Sequence, residues 1–92
     1  MPYSLRRTRD GAGDSGPLSL PLRRNPDTGE MEYDRENPRP RVGWAIQVGS
    51  FYARTYQVQD YWQTTYVTEI LKDTPDEIHF KTGNSEYIWK RI

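Results

Sequence analysis

The chain has 92 residues, with thirteen basic and thirteen acidic side chains, one histidine and no cysteine. That length bounds it to one small domain, and the cancelled charge leaves no global field to draw in a nucleic acid or an anionic membrane. The missing cysteine excludes a disulfide scaffold, a thiolate zinc site and a cysteine nucleophile together.

No apolar run approaches the roughly 18 residues that a membrane span requires. The opening stretch MPYSLRRTRDG also lacks the apolar segment of a signal peptide. The expectation is a soluble cytoplasmic chain without membrane contact, or a virion-associated one if it is phage-encoded.

Residues 1–41 hold six of the seven prolines, four of the seven glycines and only two of the twelve aromatic residues. Eight arginines stand there against seven acids. Such a segment cannot bury enough apolar area to order itself alone, so it is expected as an extended N-terminal arm. Within it Arg6, Arg7 and Arg9 form a basic cluster, diluted by the acids that follow. LSLPLRR then alternates Leu18, Leu20 and Leu22 with small or polar residues, NPDTG offers turn chemistry, and EMEYD alternates again. Pro26 suits the second position of a turn and Gly29 a left-handed one. These signals give a β-hairpin over 18–34, with Pro21 confining its strand to an edge; the alternative is a loop-rich tail. NPRPR at 37–41 favours an extended, polyproline-like linker.

Residues 42–92 hold the other ten aromatics. GWAIQVGS is a strand with Trp44, Ile46 and Val48 on one face. The stretch FYARTYQVQDYWQTTY, 51–66, carries six aromatics in sixteen positions; ARTYQVQ within it is a further strand or the limb of a long loop. YWQTTYVTEILKD is rich in strand formers, but Val67, Ile70 and Leu71 break a period of two, which a bulge near Thr68-Glu69 repairs. Last comes EIHFKTGNSEYIWK, where Gly83-Asn84 marks a two-residue hairpin loop of the primed type, with positive φ. That turn sets Glu77 against Lys90, Ile78 against Trp89, His79 against Ile88, Phe80 against Tyr87 and Lys81 against Glu86. A one-residue slip would turn the apolar face to water.

Short antiparallel strands joined by tight turns define the fold class as all-β. The expected architecture is a small antiparallel barrel or curled sheet of SH3-like or OB-like size over 42–92, preceded by the arm of 1–41. Trp44, Phe80, Tyr87 and Trp89 are expected inside.

Tyr52, Tyr56, Tyr61 and Tyr66 find no inward place by alternation. They are half-buried packing residues with wet hydroxyls, or a contact face, because Tyr, Trp and Arg dominate interface energies. With Arg54 they are the candidate partner-binding residues; Arg6, Arg7, Arg9, Leu18, Leu20 and Leu22 are the candidate arm contacts. Base stacking is the alternative, but it needs a positively charged groove, and Arg54 is the only base between Arg41 and Lys72. His79 faces outward beside Glu77 and Lys81 and shares no metal-ligand spacing. No phosphate loop, nucleophile elbow or paired-carboxylate motif occurs. The chain therefore reads as a non-catalytic structural or interaction protein without cofactor or metal. Its partner is another protein or further copies of itself, as in accessory components of phage particles or bacterial complexes, or a target that it inhibits. A nucleic-acid-binding module is the alternative.

Overall fold

The computed structural model describes residues 2–49 and 61–92. Among them are nine strands: β1 (Tyr3–Arg7), β2 (Gly13–Gly16), β3 (Leu18–Arg24), β4 (Met31–Tyr33), β5 (Ala45–Gly49), β6 (Tyr61–Gln63), β7 (Val67–Asp73), β8 (Glu77–Thr82) and β9 (Glu86–Arg91). They form two antiparallel sheets, a first in the order β2-β1-β9-β8-β7 and a second in the order β4-β3-β5-β6. The all-β expectation holds, but the described strands make two sheets and no closed barrel.

The extended arm is the expectation that the structure does not confirm. Tyr3 to Arg7 pair with β9, where Tyr3 lies opposite Arg91, and Leu18 to Leu22 pair with β5. Residues 1–41 are too polar to fold alone, yet they need only a few apolar side chains once β9 and β5 offer edges to extend. Leu5 and Leu22 are both buried. The Ile92 amide donates to the Pro2 carbonyl at 2.9 Å, so the two ends of the chain lie side by side.

The hairpin over 18–34 is present, with Leu22 opposite Tyr33 and Arg24 opposite Met31. Its turn is closed by the Gly29 amide donating to the Asn25 carbonyl at 2.8 Å, and Gly29 takes φ 74° as its position demanded. The Asn25 side chain accepts from the Asp27 and Thr28 amides. Pro21, however, is not on an edge strand, because β3 lies between β4 and β5. Ile46, which faces Pro21, spends its backbone groups on Thr64, so the pair exchanges no hydrogen bonds. The nitrogen of Pro21 therefore points the other way, past the end of the three-residue β4, where no ladder donor is required.

The register of the last hairpin matches all five pairs expected from the sequence. Its loop does not match, because neither Gly83 nor Asn84 has positive φ. The Thr82 hydroxyl instead accepts from the Asn84 and Ser85 amides, at 3.3 and 3.2 Å, and holds the turn without a left-handed residue. Strand β7 carries the expected register shift between Val67 and Glu69 and a second one between Ile70 and Lys72.

The core lies between the sheets. Leu5, Val67, Ile78, Phe80, Tyr87 and Trp89 come from the first sheet and meet Ile46 and Val48 from the second. Phe80 stacks on Tyr87 and Tyr3 on Trp89, each pair with centroids 5.5 Å apart. Gly16 lies so close to Gly49 that an added Cβ would stand 2.3 Å from the Gly49 carbonyl carbon. Trp44 departs from expectation: it precedes β5 and is only half-buried.

Candidate interaction surface

Residues 39–44 run along the outer edge of β7. At one end the Gly43 amide donates to the Val67 carbonyl and the Val67 amide to the Trp44 carbonyl, each at 2.9 Å. At the other end the Arg39 guanidinium donates to the carbonyls of Pro75 and Thr74, at 2.9 and 2.8 Å, and to the Asp73 carboxylate. The segment therefore lies antiparallel to β7, tied at both ends. Pro40 has no amide to offer in between, so a strap results and not another strand. Ser19 anchors the start of the strap through its hydroxyl, 2.7 Å from the Pro38 carbonyl.

This arrangement gathers three exposed apolar side chains on one edge: Val42 at 58%, Tyr66 at 47% and Leu71 at 46%. Val42 and Tyr66 each precede a residue of the Gly43–Val67 bond pair. Leu71 falls at the second register shift of β7, which leaves it without a partner on β8. Beside them the Trp44 ring carries two guanidinium groups, Arg23 at 4.9 Å and Arg41 at 4.8 Å from its centroid.

The cations are held by carboxylates. Arg23 Nε donates to Glu32 at 3.1 Å, and Arg41 donates to Asp34 at 2.5 Å. Asp34 also accepts from the Asn37 and Glu36 amides. The Asn37 amide, then the Arg41 guanidinium and the Glu36 amide, hold the Asp34 carboxyl below its usual range. The tight turn at 34–37 is thus what fixes Arg41 over Trp44.

Of the residues expected to bind a partner, Tyr66 lies on this edge. Tyr61 does not: it is half-buried in β6 opposite Gly49, at the far end of β5 from Trp44. Five strand positions separate the two ends, roughly 16 Å. Tyr52, Arg54 and Tyr56 lie outside the described residues.

The expected arm contacts are dispersed. Arg6 is exposed opposite Ile88 and donates to the Ser15 hydroxyl at 3.2 Å. Arg7, one position on, faces the other way, binds Asp10 at 2.7 and 3.0 Å and sits 5.2 Å from the Trp62 centroid. Arg9 is exposed in the turn after β1. Leu18, Leu20 and Leu22 do share a face, paired with Gly49, Gln47 and Ala45, on the side of the second sheet away from the core cluster.

His79 lies on an open sheet face as expected, with Nε2 2.6 Å from Glu77 Oε2. Lys72 and Lys90 also reach Glu77, at 3.3 and 3.6 Å. The His79 contact first, then Lys72, holds the Glu77 carboxyl below its usual range. Among the described residues no three His, Asp or Glu side chains could hold a metal ion, and no helix is long and apolar enough to cross a membrane.

Sequence reasoning missed Val42, Trp44 and Leu71. The available signals were the paired prolines, Pro38 and Pro40, which deny β7 a regular neighbour, and the aperiodic TEIL stretch. No family model, curated protein or solved structure matches the chain.

Proposed function

We propose that the chain is a non-catalytic interaction protein that docks through the β7 edge and its strap, as an accessory component of a larger assembly or an inhibitor of its target. The observation that carries this is the gathering of Val42, Tyr66 and Leu71, all exposed, beside the Trp44–arginine cluster. Contact surfaces are enriched in Tyr, Trp and Arg, and a few such side chains supply most of the binding energy.

The nucleic-acid alternative draws less support. Arg6 and Arg7 face opposite sides of β1, and Arg7 is already held by Asp10.

A photoreactive residue in place of Tyr66 tests the proposal, with one in place of the exposed Ser15 on β2, the opposite edge of the first sheet, as the control. In the native cell extract, position 66 should yield one defined protein adduct in near-stoichiometric amount, and position 15 should not. Equal labelling at both positions, or no adduct at 66, would sink the idea.

A further inference from the structure

We infer that the occupant of this edge is an extended protein segment that sets a carboxylate on Arg23 and Arg41 and apolar side chains on Val42 and Leu71. This rests on the interaction role proposed above and adds the chemistry of the partner.

The arginines carry unspent donors. Among the described residues, Arg23 uses only Nε, on Glu32, and Arg41 only Nη2, on Asp34 and the Asn37 carbonyl; Arg41 Nε is buried, so Nη1 is the nitrogen that side chain has left to offer. Both side chains reach solvent, at 44% and 33% exposure. A guanidinium offers its donors in a planar fork that matches a carboxylate. Trp44 and the two acids already fix where each guanidinium sits, so little side-chain freedom is lost when a ligand arrives.

Phosphate fits the same fork, and the rest of the edge decides against it. A nucleic acid brings a charge at every nucleotide, whereas this surface continues into Val42 and Leu71, and its further cations, Arg39 and Lys72, are already held by Asp73 and Glu77. Among the described residues no run of free cations follows a polyanion along this edge, and the apolar side chains give it nothing to pair with. An isolated carboxylate flanked by apolar residues suits both ends.

The test is selection from a display library of short random peptides on the immobilised full chain. Retained peptides should carry Asp or Glu beside Leu, Ile, Val or Phe. Arg23→Gln should weaken them roughly tenfold or more, the loss expected for one charge-assisted hydrogen bond. Arg23 pairs with the surface carboxylate of Glu32 and lies over Trp44, so a wild-type melting curve for this variant is expected and confirms that the fold is intact. Arg41→Lys, which keeps the charge beside Asp34, gives a second reading of the same fork.

Peptides without acidic bias, or indifferent to both arginine variants, overturn the inference. If Leu71→Asp still abolishes their binding, the docking edge itself stands. If Leu71→Asp is also without effect, or no peptide is retained, the docking role falls with it. Tighter binding of a mixed-sequence single-stranded oligonucleotide, lost with Arg23→Gln, would assign the site to nucleic acid instead.

Discussion

The Ser19 hydroxyl accepts a hydrogen bond from the Trp89 indole N–H at 2.9 Å and donates one to the Pro38 carbonyl. One small side chain thus satisfies the polar atom of the largest buried ring and fastens the strap to the second sheet. Ser19→Ala leaves the buried N–H without an acceptor and should cost about 1–3 kcal/mol, read as a lower urea midpoint. An unchanged midpoint would mean that the indole N–H finds another acceptor. Asp10 is a second case at this scale. Arg7, the Ala12 amide and the nearby charges lower its carboxyl from 3.8 to about 2. A folded value below the unfolded one adds stability above the unfolded pKa, and that stability is lost as pH falls through the folded one. The advantage of wild type over Arg7→Gln should therefore be constant near neutrality and fade between about pH 4 and pH 2, in denaturation series across that window. The pair is solvent-exposed, so the effect is small and shrinks with salt.

Between strands, the close approach of Gly16 to Gly49 leaves no room for a methyl group. Gly16→Ala must push β2 away from β5 and should lower the melting temperature, whereas Thr or Ala at Gly83, where nothing stands within 4 Å, should be tolerated. Comparable melts for the two positions would contradict the packing of β2 on β5. Element by element, the last hairpin was the most legible, because its opposite charges and apolar residues repeat every second position and agree on one register. The β3–β4 hairpin was legible through Pro26 and Gly29. Strand β1 was not: it offers a single core residue, Leu5, and its partner β9 lies at the other end of the sequence. Trp44 was placed inside by extending the alternation of Ile46 and Val48 one step too far, past the end of β5. The exposed edge, with Val42 and Leu71, depends on a strap and a second register shift; Pro38, Pro40 and the aperiodic TEIL stretch mark both locally, but which strand the strap borders is a long-range matter.

The whole molecule shares one core in spite of its divided composition. Leu5 and Trp89 share the core, Ser19 reaches across to Trp89, and the strands of residues 1–41 complete both sheets. A fragment of residues 42–92 should therefore show no cooperative thermal transition, while the full chain melts in a single step. A fragment with a sharp transition and dispersed amide signals would restore the picture of a free-standing module with a separate arm. Trp89→Ala, which removes a fully buried ring from this shared core, should cost about 3–5 kcal/mol and unfold much of the population.

The pairing of Tyr3 with Arg91 also fixes how the molecule meets mechanical load. Both ends of the chain leave the β1–β9 ladder at the same place, so tension between them opens one hydrogen-bonded pair after another, like a zipper. A molecule held in an assembly by its strap edge would thus peel at its own termini while the β7–β8 ladder that carries the edge bears none of that load.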